Sequence, residues 1–449
     1  METTMPVPLC IGGAAGFSGD RTDAAGPVVD ALIASGGPAC LIFETLAERT
    51  LALAQLERRA RPEAGYEPLL DELLRPVLAR CLAHGIRIVS NFGAANPEGA
   101  ARHVLRIARE LGLSAPRVAV IDGDDLMAGP ARALWQPHAD GLDVVSANAY
   151  LGASAVAAAL REGAQVVVGG RLADPSLVVG PAMAHHGWAE DDWDRLARAT
   201  LAGHLLECGA QVSGGYYADP GVKDVPGLAR LGYPIAEIDA DGHCIITKPT
   251  GTGGRIDRHT VTEQLLYEVH DPAAYLTPDV VADLREAELT ELGPDRVRLT
   301  GVRGHPRPAS LKVNVCHATG WLAEGEISYA GVRAGARAKL AGQVLRERLQ
   351  GPLRLDLIGV GSVFGDDAGT WVDALDVHGA RDVRLRAAWR RTERTEAERL
   401  MREVTALYTC GPAGGGGVRT AMRRTLGTVS CLVPREAVPA THRFITEAA

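Results

Sequence analysis

His204, Glu207 and Cys208 fall within five residues at the end of a segment with helical periodicity, His204-Leu-Leu-Glu207-Cys208. Residues four apart share one face of a helix. His204 is therefore placed to take the proton of the Cys208 thiol and make a sulfur nucleophile or a transient sulfur carrier. Two other uses stay open. His204 can act on a bound substrate as general acid or base, with Glu207 folded back to orient it. Alternatively Cys208 is a buried structural thiol and His204 a satisfied core histidine. Shortly after come Asp219, Lys223 and Asp224, charged groups in a Gly/Pro-rich loop that could meet a ligand.

A second set follows from short apolar runs that each end on a polar residue or glycine. The first run leads into Gly12-Gly13-Ala-Ala-Gly16-Phe-Ser-Gly19-Asp20-Arg21. Later runs end at Glu44, Asn91, Asp122 and Asn148, and at Gly169-Gly170-Arg171 with Asp174 just beyond. In an open parallel sheet, ligands gather beyond the carboxyl ends of the strands. Glu44, Asn91 and Asp122 are thus candidate catalytic groups, and Gly13, Gly16, Arg21, Asn96, Arg171 and Asp174 candidate binding residues. Any one of them alone also reads as a helix cap or a turn residue. The first loop does not fit a dinucleotide. Gly13, Gly16 and Gly19 are each three apart, unlike Gly-x-Gly-x-x-Gly, and Asp20 would repel a pyrophosphate from the next helix.

The strongest anion-binding string lies near the end: Thr409-Cys-Gly411-Pro-Ala-Gly414-Gly415-Gly416-Gly417-Val-Arg419, with Arg423 and Arg424 following. Consecutive glycines let backbone N–H groups converge on an anion. Coenzyme A, with its pyrophosphate and 3′-phosphate, is a ligand of that kind; a glycine hinge flanked by exposed arginines is the other reading. Lys248-Pro-Thr-Gly-Thr-Gly-Gly-Arg255 could hold a phosphate or carboxylate but is no Walker loop. Glu324, Glu326, Ser328 and Tyr329 end a later strand and read equally well as a cleft wall or a hairpin edge.

These groups need a scaffold. Strands are expected over residues 7–11, 39–43, 86–90, 117–121, 143–146 and 165–168, with helices over 23–34, 46–59, 68–84, 97–111 and 153–162 between them. Asn96 as cap and Pro97 in the first turn mark a helix start. Continuous apolar strands alternating with helices predict a mostly parallel, doubly wound α/β sheet covered on both faces. The predicted division is an N-terminal α/β domain, 1–185, an irregular middle segment, 186–300, completing the cleft, and a C-terminal α/β or α+β domain, 301–449. The middle has helices at 190–208 and 262–269 and a turn region at 271–278. The last third has strands at 311–315, 326–329, 353–360 and 383–389 and helices at 334–348 and 396–407.

Composition narrows the classes. With 47 Lys and Arg against 55 Asp and Glu, the net charge is -8, and no basic tail exists, which disfavours nucleic-acid binding. The eight cysteines form no Cys-x-x-Cys pair, and no histidines have zinc spacing, so neither a disulfide framework nor a metal site is expected. No signal peptide or long apolar run is read. The expected setting is a reducing cytoplasm without membrane attachment, and the default assembly is a homo-oligomer.

Several strings together resemble one family. Gly16-Phe-Ser-Gly-Asp-Arg21, Leu46-Ala-Glu-Arg-Thr50, Ser90-Asn-Phe-Gly-Ala-Ala-Asn-Pro97, Gly203-His-Leu-Leu-Glu-Cys-Gly209 and Ala218-Asp-Pro-Gly-Val-Lys-Asp-Val225 are similar to the signature of the acyclic terpene utilisation (AtuA) family. So are Thr250-Gly-Thr-Gly-Gly-Arg255, Glu263-Gln-Leu-Leu-Tyr-Glu-Val-His-Asp-Pro272, Glu326-Ile-Ser-Tyr-Ala-Gly331 and Gly411-Pro-Ala-Gly-Gly-Gly-Gly417, in order over nearly the whole chain. The resemblance implies an enzyme acting on acyl-CoA thioesters, with no tightly bound cofactor beyond the coenzyme A of the substrate. Its stand-alone members resemble thioacid synthases, which exchange CoA for sulfur and work beside an acyl-CoA ligase and a sulfur-carrier protein. There, Asn91, Asn96 and loop amides would face the oxyanion, His204 would manage the sulfur proton and Cys208 would carry sulfur. The alternatives are a hydratase, lyase or hydrolase of terpenoid acyl-CoA breakdown, with Glu44, Asp122 or Glu207 as acid and base, and a non-catalytic subunit of an acyl-CoA complex. Two departures stand out. Many longer relatives continue into a small ferredoxin-like domain or a carboxylase fusion, whereas this sequence stops at 449. The family string Glu-x-Leu-Ala-Glu frequently carries Cys at its second position, which is Thr45 here.

Overall fold

A computed structural model describes residues 7–446. They divide into two compact units. One holds the described residues up to Cys316 together with those from Thr428 on; the other is His317–Gly427. These boundaries differ from the division at 185 and 300, because residues of the middle segment extend the sheet that the N-terminal part begins.

The first unit opens with β1 (Leu9–Gly13), α1 (Ala25–Ser35), β2 (Ala39–Phe43), α2 (Glu48–Ala60), α3 (Leu70–Ala83), β3 (Arg87–Ser90), α4 (Pro97–Glu110) and β4 (Val118–Asp122). There follow α5 (Arg132–Trp135), β5 (Val144–Ala149), α6 (Ser154–Arg161), β6 (Val166–Gly169), α7 (Ser176–His186) and α8 (Trp193–Glu207). The β-branched and aliphatic runs form the strands, buried on both faces. Asn96 caps α4 as its position predicts, its side chain accepting from the Gly99 N–H at 3.0 Å. Two apolar layers flank the sheet. Ile11, Ile42, Val89 and Val167 face α6, α7 and α8, while Leu41, Phe43, Ile88 and Val168 face α1, α3 and α4.

The sheet is mixed. Next come β7 (Ile235–Ile238), β8 (Cys244–Thr247), α9 (Arg258–Leu266), β9 (Tyr275–Leu276), β10 (Val281–Asp283), β11 (Glu288–Gly293), β12 (Arg296–Thr300) and β13 (Arg303–His305). The last strand of the unit is β18 (Thr441–Ile445), and the sheet order is β11-β12-β8-β7-β1-β2-β3-β6-β4-β18. Only the centre, β1-β2-β3-β6-β4, is parallel; every other pairing is antiparallel. This corrects the expectation of a mostly parallel sheet in two ways. Antiparallel hairpins from the middle segment widen one edge, and β18 covers the other. The fifth expected strand leaves the sheet as well, for β5 pairs with β14 (Ser310–Ala330) instead. Within the stretch expected to be a turn, 271–278, lies β9, the edge strand of a small separate sheet, β13-β10-β9, and α9 begins four residues earlier than expected. Its start is set by a capping box between Asp257 and Thr260.

The second unit contains the distal part of β14, α10 (Ala334–Arg348), β15 (Arg354–Ile358), β16 (Asp382–Arg391), α11 (Arg394–Cys410) and the first part of β17 (Gly416–Pro434). Its chain order is βαββαβ and its sheet order β15-β16-β14-β17, the split-βαβ arrangement. Ile327, Tyr329, Leu385 and Trp389 pack there against Ala338, Leu345, Leu400 and Val404 of the two helices. Among the described residues no helix is long and apolar enough to cross a membrane.

One glycine in the first unit deserves its type on steric grounds. A Cβ on Gly16 would lie 2.4 Å from the Gly209 nitrogen and 2.5 Å from the Cys208 carbonyl carbon, so the β1 loop presses directly on the end of α8. Both atoms are backbone and cannot swing aside. Gly16→Ala is expected to lower the unfolding free energy by about 1–3 kcal/mol, the range for forced overpacking. An unchanged urea midpoint would show that the two segments separate at no cost.

Candidate active site

A cavity of about 1120 Å³ lies in the first unit, walled by the loop after β1, the ends of β2 and β6, the C-terminus of α8 and the β9 segment. Lys312 of β14 and Cys431 of β17 also line it. Of the residues expected from sequence, Gly16, Arg21, Glu44, Arg171, Asp174, His204, Glu207 and Cys208 meet there.

His204 is buried on the last turn of α8. Its Nδ1 is 2.8 Å from Glu207 Oε1, an i,i+3 pair on one helical face, and its backbone carbonyl accepts from Gln264 Nε2 at 3.1 Å. Its Nε2 has no hydrogen-bond partner, and neither has Glu207 Oε2. Nδ1 therefore carries the proton given to Glu207, and Nε2 keeps the lone pair. Burial disfavours the imidazolium, but the charge and hydrogen bond of Glu207 outweigh it and raise the His204 pKa. Of the readings left open by sequence, this geometry matches Glu207 folded back onto His204, rather than His204 paired with Cys208. The Cys208 thiol is pushed up to about 12, by burial first and by the Glu207 carboxylate second.

The same cavity holds a buried charge cluster. Arg171, only 2% exposed, reaches Asp174 Oδ1 at 2.5 Å, donates to the Leu46 carbonyl, and stacks on Tyr150 with Cζ 4.3 Å from the ring centroid. Glu44 accepts from the Leu46 N–H at 2.8 Å. Burial foremost raises the pKa of both Glu44 and Asp174, helped at Glu44 by the Asp174 charge and at Asp174 by Glu207 and Glu48, while Arg171 pulls the other way. Tyr150 also donates to Glu48, which pairs with Lys312 Nζ at 3.4 Å. Glu48, Tyr150, Lys312 and Tyr275 were not singled out from sequence. Glu48 lies inside the string 44–48 and Tyr150 two residues beyond Asn148, so a signal existed for those two. Lys312 and Tyr275 have none, since the strands that bring them in are not strand ends of the central sheet.

Other expected residues go elsewhere. Asn91 sits behind the wall, its Nδ2 donating to Glu44 Oε1 at 2.8 Å and its Oδ1 accepting from the Thr45 N–H at 2.8 Å. It positions Glu44 and, fully buried, does not line the cavity where an oxyanion would form. The Thr45 hydroxyl faces Asn91, so a thiol at position 45 would point away from the cavity. Asn96 spends its amide on the Pro62 and Ala64 carbonyls as well as on capping α4, so it too is no oxyanion donor. Asn96 and Asp122 line a smaller polar pocket of about 250 Å³, where Asp122 pairs with Arg443 at 2.7 Å. Asp124 bridges the two places: it lines the small pocket and accepts from the Arg171 backbone N–H at 2.9 Å. The Gly13 N–H is taken by the Pro234 carbonyl. Arg21 donates to the Leu228 and Ala229 carbonyls, and Asp20 accepts from the Gly16 N–H at 2.8 Å, filling the turn that a phosphate would need. Asp219 and Lys223 form their own turn, with Lys223 paired to Glu263 at 2.6 Å. In the 248–255 patch, Lys248 pairs with Asp295 and Arg255 with Asp257.

The glycine run belongs to the second unit. Gly414–Gly417 turn the chain from α11 into β17, with Gly414 and Gly417 at positive φ. A Cβ on Gly415 would meet Ile327 and Tyr329. Arg337 donates to the Ala413 carbonyl there, and Arg419 follows on the exposed edge strand β17. Turning thus accounts for Gly414 and Gly417 and packing for Gly415, while a Cβ on Gly416 would meet open space. Arg384 and Arg386 of the same unit pair with Glu326 and Glu324 across the strands. All eight cysteines are free thiols, and among the described residues no group of three or more His, Cys, Asp and Glu is placed to hold a metal ion.

Comparison with known proteins adds one match: the model of the family described as "Acyclic terpene utilisation family protein AtuA" fits residues 9–444. No curated protein matches the chain.

Proposed function

Because the chain belongs to the AtuA family, we propose that the large cavity of the first unit is the active site of an acyl-CoA-processing enzyme whose central group is the His204–Glu207 pair. The observation that carries this reading is the free Nε2 of a buried histidine whose other nitrogen is fixed on a carboxylate. That arrangement suits a general base that must return its proton later as a general acid. The cavity has the size and mixed lining of a site for a bulky ligand, at the carboxyl ends of β2 and β6.

The reaction that fits best is thioacid synthesis, as the resemblance to thioacid synthases implies. Hydrogen sulfide gives its proton to His204 Nε2 and attacks the thioester carbonyl carbon. The tetrahedral oxyanion collapses, the bond from carbon to the CoA sulfur breaks, and His204 returns the proton to the leaving thiolate. The products are a thiocarboxylic acid and free CoA, and no ATP is consumed because the thioester is already activated. Glu207 steadies the imidazolium in between.

Cys208 is left out of this scheme, since its thiol is held protonated and His204 is committed to Glu207. Cys208→Ala is expected to keep kcat within about threefold of the parent; a loss on the scale of a missing nucleophile would restore it as sulfur carrier.

A second reading has its own support. Glu44 and Asp174 retain a proton to higher pH than ordinary carboxyls, which gives the cavity an acid in addition to the His204 base. Hydration of an unsaturated terpenoid acyl-CoA needs that pairing. Incubating the protein with acyl-CoA thioesters, with and without sulfide, separates the two. Sulfide-dependent CoA release with a product carrying sulfur in place of an acid oxygen supports thioacid synthesis. Sulfide-independent addition of water, with CoA retained, supports hydration. No change in any thioester removes both.

A further inference from the structure

We infer that Tyr275 is the hydrogen-bond donor to the thioester oxygen, a catalytic role that rests on the acyl-CoA reading above. Either version of that reading builds negative charge on this oxygen, when a nucleophile attacks the carbonyl carbon or when charge spreads from the α carbon. A buried site must then supply a fixed donor. The two asparagines expected to do so do not line the cavity: Asn91 is buried behind Glu44 and donates to it, and the Asn96 amide donates to the Pro62 and Ala64 carbonyls. The backbone N–H of Gly16 is spent on Asp20.

Tyr275 lines the same cavity beside His204, with ring centroids 5.2 Å apart and its hydroxyl 3.5 Å from His204 Nδ1. Nδ1 is already 2.8 Å from Glu207 and carries the proton of that bond, so it cannot also accept one from Tyr275. The hydroxyl proton is therefore unspent inside the protein. Burial foremost, then the nearby acids, raises the Tyr275 pKa, so the group stays a neutral donor throughout the working range.

The scaffold holds this hydroxyl in place. Tyr275 pairs with Ala282 of β10, and the connecting turn is closed by Thr277 Oγ1 donating to the Val280 carbonyl at 2.9 Å. Asp279 in that turn accepts from the Ala153 N–H at 2.7 Å and from Ser176 Oγ at 2.5 Å. Ser176 begins α7, two residues after Asp174. The hydroxyl, His204 and the Asp174 wall are thus fixed to one another through α7 and the β9–β10 turn, as preorganised electrostatic stabilisation requires.

The test compares Tyr275→Phe with His204→Asn in the CoA-release or hydration assay, over a range of pH. Phenylalanine keeps the ring and removes only the donor. The expected result is a fall in kcat of about a hundredfold, typical for one oxyanion donor, with KM within about threefold and the acid limb of the pH profile retained. A kcat within about threefold of the parent, or a rise in KM alone, overturns the assignment. If His204→Asn is crippled while Tyr275→Phe is not, only the Tyr275 inference falls. If neither variant loses turnover, the proton-transfer reading falls with it, as it does if the unaltered protein converts no thioester.

Discussion

His204→Asn should lower kcat by about a thousandfold, within the range that a positioned general base contributes. Asparagine still offers an N–H to Glu207 but has no lone pair that accepts a proton at neutral pH, so the loss isolates proton transfer. The pH dependence gives the same group a second signature. The base form is the neutral imidazole, and Glu207 raises the pKa. The rate of the parent should therefore climb as pH rises through a value above the ordinary histidine range near about 6.5, and the climb should vanish in the variant. Stability runs the opposite way. A folded-state pKa above the unfolded one means that folding favours the imidazolium. The stabilisation is fully present below about 6.5 and is lost as pH rises through the folded value. Turnover within tenfold of the parent would move the proton-transfer role to Glu44.

The second large effect concerns stability. Arg171→Met removes the cation that neutralises Glu44 and Asp174 and leaves the Leu46 carbonyl and Asp174 without their donor. Breaking a buried pair on one side costs about 3–5 kcal/mol, because the remaining charge stays buried. The acids can escape part of this cost by keeping a proton. Their folded pKa values are already raised, and they rise further without Arg171. Protonation relieves the repulsion below those values, so the deficit should be smaller at pH about 5 than at about 7.5. Urea unfolding at the two pH values measures it. An equal deficit at both would assign the loss to the missing hydrogen bonds instead of the charge.

Much of this was readable because parallel strands advertise themselves. The runs ending at Phe43, Ser90, Asp122 and Gly169 are continuous and β-branched, and the helices between them have clear periods, so their order and limits follow from the residues alone. The strand-end rule also brought Glu44, Arg171 and Asp174 to one cavity. It could not say which end residues turn into which space. Asn91 turns behind Glu44, and Asn96 and Asp122 line the smaller pocket, although Asn91 and Asn96 follow β3 and Asp122 ends the equivalent strand β4. The glycine run 414–417 is ambiguous for a related reason: four glycines read alike whether they cradle an anion or let a helix end pass Tyr329 into a strand. Tyr275 lies among Asp, Pro and Thr, the composition of a turn, and only its two-residue pairing with β10 aims it at His204. Lys312 enters on β14, a strand whose pairing partner β5 leaves the central sheet, and nothing local records that exchange.

The pairing of β18 with β4 joins Thr441 to Asp122 and Ile445 to Val118, and Ser430–Leu432 wall the cavity from the same late stretch. During synthesis, the first unit can collapse around its parallel strands but cannot finish them. Its β4 edge stays open, and its cavity lacks a side, until residues 430–445 have left the ribosome. The segment His317–Gly427 is contiguous, and all of its strands are available earlier. Non-local closure is slow and leaves an unpaired strand exposed to other chains. The nascent protein is thus expected to be most prone to aggregation after its second unit has emerged and before residues 441–445 pair with β4, and the cavity cannot close until residues 430–432 are in place.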